Sequence, residues 1–276
     1  MCWYRKWGCS ISDFDHVFAI PAYGQSPYIA GCIQSILNQR AETPKILLGT
    51  STPSPYLKNI AADYGLNLRI NPIRLDIATD WNFVMEAAES QFVTIAHQDD
   101  IYDAEYLGVM GRIAANYGQL ILAFSDYREH TDSEVRPRNA NLKIKRRLCV
   151  RAFGERESIS HVKDKRRLLN LGNPICCPSV MINRAAVPGF RFSKSWKTNL
   201  DWDAWLRLAD EPGVYVYSDQ ELVSKRVHAG SETSATIANR TRQSEDHQMF
   251  ERFWPKPIAA LIAAVYSAGY ISNNVR

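Results

Sequence analysis

The fold is decided by the stretch Phe92-Val93-Thr94-Ile95-Ala96-His97-Gln98-Asp99-Asp100, in which a short apolar run ends in a histidine and two adjacent aspartates. Residues 92–96 are rich in β-branched and apolar types, which predicts a buried strand of a parallel sheet. In open α/β sheets, ligands bind in the crevice outside the carboxyl ends of the strands. Two neighbouring carboxylates repel each other unless a cation or hydrogen-bond donors neutralise them. The stretch therefore predicts a divalent-metal site that holds the phosphates of a nucleotide.

Strands and helices alternate on both sides of this stretch, over residues 17–126. Apolar runs predict strands at 17–20, 46–48, 66–70 and 120–124. Apolar residues at helical spacing predict the helices between them. The first is predicted to start at Ser26-Pro27, the second to run from Ser54-Pro55 to Gly65, and the third to be capped by Thr79 or Asp80. Such alternation is typical of βαβ units, so we predict an α/β fold with a mostly parallel twisted sheet flanked by helices.

The chain beyond residue 126 is less regular. Short strands are predicted at 179–182, 214–217 and 221–223. Residues 198–201 have the form of a capping box, which predicts a helix carrying Trp202 and Trp205. A further helical segment is predicted from Glu245 to Ile271. We expect these elements to complete a single main domain with a C-terminal helical extension.

The composition is that of an ordinary globular protein of 276 residues, with 46% hydrophobic and 22% charged residues. A net charge of +4 at pH 7 gives no reason to expect a nucleic-acid partner. The six cysteines form no C-x-x-C motif and no dense framework, which favours reduced thiols. No apolar run suits a signal peptide, and none approaches the roughly 20 residues that span a bilayer. We therefore expect a cytoplasmic protein.

Basic residues are concentrated between Arg136 and Arg167, where 12 lysines and arginines accompany only three acids. Clustered cations of this kind suit either a solvated loop and helix or a surface that meets an anionic acceptor or membrane leaflet. No aromatic residues are interleaved with the charges in the way that a platform for single-stranded nucleic acid requires.

Carboxylates at two places in the chain are candidates for chemistry. Asp99 and Asp100 could hold a hard cation such as Mg²⁺ or Mn²⁺ together with substrate phosphates, or they could simply cap the next helix. Asp201 stands near the start of a predicted helix, where the helix dipole should favour its ionised form. An ionised carboxylate suits a general base, and a pure capping role is the alternative. Asp203 should point elsewhere on that helix.

A histidine and two tryptophans are the other candidates. His228 could be solvated, or it could serve a phosphate site, since an arginine precedes it and Gly230-Ser231 follows it. Trp202 and Trp205 could offer an apolar platform to a sugar or pack in the core. The chain has no G-x-G-x-x-G motif after its first strand, no P-loop and no G-x-S-x-G elbow. Dinucleotide-binding Rossmann proteins, P-loop enzymes and serine hydrolases of that type are therefore not expected.

Taken in order, these features resemble the family 2 glycosyltransferases with a GT-A fold. Residues 19–23 and 28–39 look like that family's opening strand, nucleotide loop and first helix, and His97-Gln98-Asp99-Asp100 looks like its D-x-D region. Residues 200–208 are similar to its catalytic-base motif, and Arg226-Val227-His228 with Gly230-Ser231 is similar to its C-terminal histidine loop. The resemblance covers roughly residues 16–235.

The resemblance implies an inverting transferase that moves a sugar from a nucleoside-diphosphate sugar to a hydroxyl acceptor, with Mn²⁺ or Mg²⁺ as cofactor. Asp201 would be the catalytic base. The nucleotide-sugar would meet Pro21, Ala22, Tyr23, Thr50, Asp99 and Asp100. The metal would be held by Asp99, Asp100 and His228, and the acceptor side would include Trp202, Asn173 and Cys177.

The resemblance also divides the chain into three parts. Residues 1–126 would form the nucleotide-sugar-binding half, 127–240 the acceptor-binding and catalytic-base half, and 241–276 the helical extension. The acceptor would be a saccharide or a lipid-linked molecule in the synthesis of a surface polysaccharide or glycolipid. Peripheral contact with an anionic membrane surface would be compatible with the basic stretch.

The sequence departs from the family's pattern at three places. The second strand ends in Gly49-Thr50-Ser51-Thr52 rather than in acidic residues, which leaves uridine, thymidine and other nucleotides open. His97 replaces the first acid of the D-x-D region, and the sequence does not assign it a role. Leu200 stands where an acid precedes the base. A sugar-nucleotide nucleotidyltransferase and a catalytically inactive nucleotide-sugar-binding domain are the alternatives. The first lacks its Gly-rich, Arg-containing loop here, and Asp201 argues against the second.

Overall fold

The computed structural model describes residues 14–132, 134–228, 236 and 240–269. Gly230-Ser231, part of the predicted histidine loop, lies outside the described residues. The strands are β1 (His16–Ala22), β2 (Lys45–Thr50), β3 (Leu68–Ile70), β4 (Phe92–Ile95), β5 (Ile101–Tyr102), β6 (Leu120–His130), β7 (Ser158–Ile159), β8 (Val180–Asn183) and β9 (Val214–Arg226).

The nine strands form one sheet in the order β3-β2-β1-β4-β8-β6-β9-β5, with β7 pairing to β9. Strands β3, β2, β1 and β4 are mutually parallel, as are β6 and β9. Strand β8 is antiparallel to both of its neighbours, β4 and β6. The predicted α/β architecture with a mostly parallel sheet is confirmed.

Helices cover both faces of this sheet. In the described part of the chain they are α1 (Ile29–Leu37), α2 (Pro55–Asp63), α3 (Ile77–Ala87), α4 (Tyr106–Asn116), α5 (Ala140–Phe153), α6 (Val162–Leu169), α7 (Leu200–Ala209), α8 (Thr241–Glu251) and α9 (Lys256–Ala268). Alternate residues of β1 point to opposite faces. Phe18 and Ile20 pack with α1, α2 and α4, whereas Val17 and Ala19 belong to the core formed with α3 and α5–α9.

Helix α2 starts as predicted and its C-cap lies one residue before the predicted one, with Tyr64 in that position, and other starts differ. Ser54 caps α2 by accepting a hydrogen bond from the Leu57 amide, and Gly65 follows it at φ +63°. Helix α1 begins at Ile29 with Tyr28 before it, so the predicted start at Ser26-Pro27 is wrong. Helix α3 is capped by Asp76, which accepts from the Thr79 amide at 2.7 Å. A β-region Asp with a free carboxylate is the stronger cap, and it lies one turn before the predicted one.

The predicted capping box at residues 198–201 is also wrong. Asn199 occupies the N-cap of α7, but its side chain donates to Asp246 of α8 at 2.7 Å. The backbone amide of Thr198 donates to Glu245 at 2.8 Å. The donors before α7 are therefore satisfied by acids of another helix, which a local pattern does not reveal.

Strands β6 and β9 are longer than predicted. They pair in parallel from Leu120 to His130 and from Val214 to Arg226, so the two strands predicted at 214–217 and 221–223 are one. Irregular pairing between Ser125 and Tyr127 accounts for the polar interruption in the pattern. The segment predicted as one helix from Glu245 to Ile271 is two helices, because Pro255 separates α8 from α9.

The cysteines within the described residues, Cys32, Cys149, Cys176 and Cys177, are buried free thiols. Among the described helices, none is long and apolar enough to cross a membrane.

Candidate active site

The sheet topology brings the candidate residues to one edge. Strands β1, β4, β6 and β9 all end there, because they run in the same direction. Strand β8 runs the opposite way, with Met181 paired to Thr94, so the loop before β8 lies beyond the end of β4. That loop contains Asn173 and Cys177. The carboxyl edge of the sheet is therefore built by chain segments from both halves of the sequence.

Three side chains directly after β4 form a potential cation site. His97, Asp99 and Asp100 each offer one ligand atom, and these atoms lie within 4.8 Å of one another. Asp100 is buried, with His97 Nδ1 at 3.8 Å from its Oδ2. Asp100 Oδ2 and His97 Nε2 are buried without a hydrogen-bond partner among the described residues. Buried polar atoms without partners are rare, so this donor set fits a hard cation.

Residues at the end of β9 and just after it contact this cluster. The backbone amide of Arg226 donates to Asp100 Oδ1 at 2.8 Å, and the Arg226 Nε donates to the carbonyl of Asp99 at 3.1 Å. His228 Nε2 lies 3.0 Å from Asp99 Oδ2. The guanidinium of Arg226 stacks 4.3 Å from the ring centre of Tyr28. His228 therefore contacts Asp99, and the predicted role of Asp99, Asp100 and His228 as a set of metal ligands stays a prediction.

Protonation in the cluster follows from burial. Burial and then the neighbouring charge of Asp99 raise the pKa of Asp100 well above its ordinary value, against the opposing Arg226 amide. Burial lowers the pKa of His97 to about 4. Its imidazole is therefore neutral near pH 7, which is the form that ligates metals. His97, to which the sequence assigned no role, is a third potential ligand.

Asp201 lies in the first turn of α7, next to the loop that precedes β8. Its Oδ2 accepts from Asn173 Nδ2 at 3.0 Å, and its Oδ1 accepts from the amide of Trp202 at 2.8 Å. Asn173 is itself fixed, because its Oδ1 accepts from the amide of Ile175 at 3.1 Å. Each carboxylate oxygen keeps a lone pair for another donor, such as an acceptor hydroxyl.

We expected the helix dipole to lower the pKa of Asp201 and keep it ionised, but this expectation is wrong, because the net change in its pKa is upward. Burial raises the pKa of Asp201 above its ordinary value, while Arg242, the Trp202 amide, Lys145 and Lys225 oppose that rise. Desolvation outweighs the helix N-terminus here. A carboxylate with a raised pKa is a stronger base than a solvated one, so the change favours a base role.

Asp201 and the cation site meet at the loop that precedes β8. Asn173 of that loop donates to Asp201, and the loop lies beyond the end of β4, where Asp99 and Asp100 follow. Cys177 is buried in a 3₁₀ turn over Cys177–Ser179. The thiol is therefore part of the protein interior, and its predicted contact with an acceptor stays a prediction.

The predicted nucleotide residues follow β1 and β2. Tyr23 is exposed, and its backbone amide donates to Gln98 Oε1 at 3.1 Å, while Gln98 Nε2 donates to the Tyr23 carbonyl at 3.1 Å. Gln98 thereby ties this loop to the cation site. Ala22 and Thr50 are buried and paired across β1 and β2, and Pro21 pairs with Gly49. The ends of the loops after β1 and β2 are formed by Pro21, Ala22 and Thr50. The side chain of Tyr23 is exposed beside them.

Trp202 does not face an acceptor. Its side chain is 0% exposed and packs against Phe250 and Tyr266, so the predicted acceptor contact is a core contact. Trp205 is buried too. Asp203, as expected, points away from the site: its Oδ2 accepts from Arg207 at 2.8 Å and its Oδ1 from Arg252 at 2.6 Å.

Sequence reasoning missed three cations around Asp201. Lys145, Lys225 and Arg242 all act on the pKa of Asp201, and Lys145 donates to the hydroxyl of Tyr127 at 2.9 Å. They come from α5, β9 and α8, so no local motif joins them. In the sequence, Lys145 was noted only as one member of a basic stretch. That its side chain points toward the core could have been predicted, because it lies on the same side of α5 as the buried Leu142 and Cys149.

Comparison with known proteins gives the same family as the motifs. The model of glycosyl transferase family 2 matches residues 17–188. No curated protein sequence matches the chain. A mannosyltransferase, PcManGT from Pyrobaculum calidifontis in complex with GDP-Man and Mn²⁺, superposes with a TM-score of 0.64 at 13% identity, covering 95% of this chain and 76% of that one.

Two further solved structures have the same fold. TarS 1-349 from S. aureus has a TM-score of 0.61 at 13% identity, covering 94% of this chain and 72% of that one. Glucosyl-3-phosphoglycerate synthase from Mycobacterium tuberculosis, in complex with Mn²⁺ and UDP-glucose, has a TM-score of 0.54 at 12% identity, covering 88% and 83%. At such identities the likeness is one of fold.

Proposed function

The chain belongs to glycosyl transferase family 2, and from that membership we propose that it moves a sugar from a nucleoside-diphosphate sugar to a hydroxyl group of an acceptor. The observation that carries the proposal is the placement of a potential cation site and a hydrogen-bonded carboxylate, Asp201, at one edge of the sheet. A leaving diphosphate needs positive charge, and an attacking hydroxyl needs a base.

The donor is proposed to bind across the ends of β1, β2 and β4. Its nucleoside would lie against Tyr23 and the loop ends at Pro21, Ala22 and Thr50, and its diphosphate would lie beside Asp99. The neutral, hydroxyl-rich end of β2 makes a thymidine or another nucleotide as acceptable as uridine. Structures with the same fold hold UDP-GlcNAc, UDP-glucose or GDP-Man, which supports a nucleotide-sugar in this place.

The cation would be Mn²⁺ or Mg²⁺, held by Asp99 and Asp100. His228 is the third ligand that the family resemblance implies, and His97 is a second candidate for that position. The neutral imidazole of His97 favours Mn²⁺ over Mg²⁺. Bound there, the ion would neutralise the charge that builds up on the departing diphosphate.

Asp201 is proposed as the general base. As the acceptor oxygen forms its bond to the anomeric carbon, the bond from that carbon to the diphosphate oxygen breaks. The hydroxyl proton passes to Asp201, and the nucleoside diphosphate leaves with the electron pair. Asn173 and the Trp202 amide hold the carboxylate in one orientation throughout. A single displacement of this kind inverts the anomeric configuration.

The acceptor is proposed to be a saccharide or a lipid-linked molecule in the synthesis of a surface polysaccharide or glycolipid. It would bind beside Asn173 and Cys177, which belong to the acceptor-binding half, residues 127–240. The nucleotide half (1–126) and the helical extension (241–276) would lie on either side of it. Buried free thiols and the basic helix α5 support work at the cytoplasmic face of an anionic membrane.

Calorimetry tests the donor side. UDP, dTDP and GDP are titrated with Mn²⁺ and with a chelator present instead. We expect Mn²⁺ to tighten the binding of one nucleotide by about tenfold or more, and Asp99→Asn to remove that gain. Glu105→Gln, an exposed carboxylate paired with Arg40, is the matched control and should bind as the native protein does. If all three nucleotides bind equally tightly with and without Mn²⁺, the proposed cation site is refuted.

A further inference from the structure

The ends of helices α5 and α9 approach each other, with the start of one helix near the end of the other. Arg151 in the last turn of α5 donates to the side chain of Asn170, and Trp254, just before α9, donates its Nε1 to the Asn170 carbonyl at 2.7 Å. At the other end, a Cβ on Gly269, which follows α9, would lie 4.0 Å from the side chain of Asn141 in the first turn of α5. Both helices bury their inner faces in the same core, so their outer faces form one surface.

The outer face of α5 is cationic and partly apolar. Lys143, Arg147 and Arg151 lie along it, with Ile144 and Val150 exposed between them. Helix α5 contains no aspartate or glutamate from end to end. Its two remaining cations, Lys145 and Arg146, point to Tyr127 and Asp126. The charge on the outer face is therefore uncompensated within the helix.

The outer face of α9 is apolar. Ile258, Leu261 and Val265 are 45%, 67% and 70% exposed, at spacings of three and four residues. The inner face, with Ala259, Ile262, Ala263 and Tyr266, packs in the core. Exposed apolar side chains are common singly, but a row of three on one helix beside a row of cations marks an interaction surface.

The two rows end at a basic cavity. A cavity of about 290 Å³ lies where α6 meets the start of α9, lined by Lys163, Arg166, Arg167, Asn170, Arg252, Phe253 and Trp254. Arg166 is paired with Asp210 and Arg252 with Asp203. Over the described ranges, no carboxylate lies within ion-pair distance of Lys163 or Arg167. Two cations in a cavity with an aromatic wall suit a phosphate ester.

We propose that this surface, the α5–α9 face (Lys143, Ile144, Arg147, Val150, Arg151, Ile258, Leu261 and Val265, with the cavity at Lys163 and Arg167), binds an anionic phospholipid membrane. The α9 row enters the boundary between headgroups and acyl chains, as apolar faces of interfacial helices do. The α5 row and the cavity meet headgroup phosphates. Charge complementarity favours an anionic membrane as the partner. Neither helix contains an aspartate or glutamate that could pair with a basic partner, whereas the cations of α5 can pair with anionic headgroups.

The α5–α9 face and Asp201 are joined by one loop, which contacts α9 and Asp201. Tyr266, on the inner side of α9, touches Gly172 so closely that a Cβ there would come within 2.6 Å of its ring. The next residue, Asn173, holds Asp201. This inference rests on the proposed function in one respect: docking through α5 and α9 would bring a lipid-linked acceptor to the side of the site where Asp201 lies.

Vesicle sedimentation tests the proposal on the whole protein. Partition is measured on phosphatidylcholine vesicles with and without phosphatidylglycerol, for the native protein and three double variants. Lys143→Glu with Arg147→Glu removes cations from α5, and Leu261→Ser with Val265→Ser removes the apolar row. Lys58→Glu with Arg69→Glu makes the same charge change at exposed positions on α2 and β3.

We expect the native protein to bind only the anionic vesicles. The α5 variant should lose at least about 25-fold in partition, at about fivefold for each cation. The α9 variant should lose about tenfold or more, and the control less than about threefold. Raising the salt until the Debye length falls from about 10 Å to about 3 Å should weaken native binding strongly.

Four outcomes would overturn the proposal. They are no binding to anionic vesicles, binding indifferent to salt, an equal loss in the Lys58/Arg69 control, and a dimer in solution that the α9 variant dissociates, since the face would then join two copies. The nucleotide titrations need no vesicles. Failure of those titrations with vesicle binding intact would refute the proposed function alone, and the reverse result would refute the membrane face alone.

Discussion

Replacing Asp201 by asparagine tests its proposed role in proton transfer separately from the rest of the site. The change is nearly isosteric, but it turns one carboxylate oxygen into a donor. The Trp202 amide needs an acceptor at Oδ1, so the new amide NH₂ would face Asn173 Nδ2, which is also a donor. Asn173 cannot rotate its amide without placing that NH₂ against the amide of Ile175.

The effect on stability should be small. A lost hydrogen bond with a donor–donor contact costs about 1–3 kcal/mol of the free energy of unfolding. Part of that loss is offset, because the raised pKa of Asp201 means that its charge is already unfavourable in the folded protein. The variant should therefore fold and should still bind the nucleotide with Mn²⁺.

The effect on turnover should be large. General-base catalysis contributes about 10²–10⁴-fold, so kcat for transfer should fall by that factor, or about 3–5 kcal/mol in activation free energy. The assay follows release of the nucleoside diphosphate in the presence of an acceptor. In the native protein, activity should rise with pH through the pKa of Asp201, which lies above that of a solvated aspartate. That acid limb should vanish in the variant.

The matched control is Asp203→Asn, two residues further along α7. Asp203 is held by Arg207 and Arg252 and faces away from the site, so its change should lower stability and leave kcat within about threefold. Native turnover in Asp201→Asn would remove Asp201 as the base. Equal losses of kcat in the two variants would show that the helix, rather than the carboxylate, had been damaged.

Two further predictions concern stability. Burial raises the pKa of Asp246 to about 6, above its ordinary value of 3.8. The folded state then binds more protons than the unfolded state between these values, so stability should fall by up to roughly 3 kcal/mol as pH rises through them. Asp246→Asn should lack this fall in urea denaturation at a series of pH values, and a difference from the native protein that is constant with pH would contradict it. Gly213 has φ +127°, and a Cβ there would lie 2.5 Å from the Gln119 carbonyl oxygen, so Gly213→Ala should destabilise by about 2–4 kcal/mol. Gly118→Ala, where a Cβ would meet nothing within 4 Å, should stay within about 0.5 kcal/mol, and similar thermal shifts for the two variants would argue against the clash.

The parallel part of the fold could be predicted because its signals are local. Each strand from β1 to β4 is a short apolar run, and α2 carries its own cap in Ser54 and its own terminator in Gly65. The insertion of β8 between β4 and β6 could not be predicted in this way. A four-residue apolar strand pairs equally well in either direction, and its neighbours are more than 50 residues away in sequence.

The site was predicted in its parts but not in its electrostatics. Asp99, Asp100 and His228 stood out by residue type. The structure groups Asp99 and Asp100 with His97 and gives His228 a contact with Asp99. The pKa of Asp201 was expected to follow the helix dipole, a local effect, whereas burial by distant segments decides it. Trp202 shows the same limit, because its place in the core depends on Phe250 and Tyr266 from helices outside the motif.

The C-terminal helix α9 contacts the loop that holds Asp201, although the sequence predicted it only as an extension. Gly172 adopts φ +135°, and its missing side chain lets Tyr266 of α9 press against the loop. The following residue, Asn173, fixes the carboxylate of Asp201. A helix that also presents an apolar row to the outside therefore contacts, through one ring, the loop whose Asn173 holds the Asp201 carboxylate.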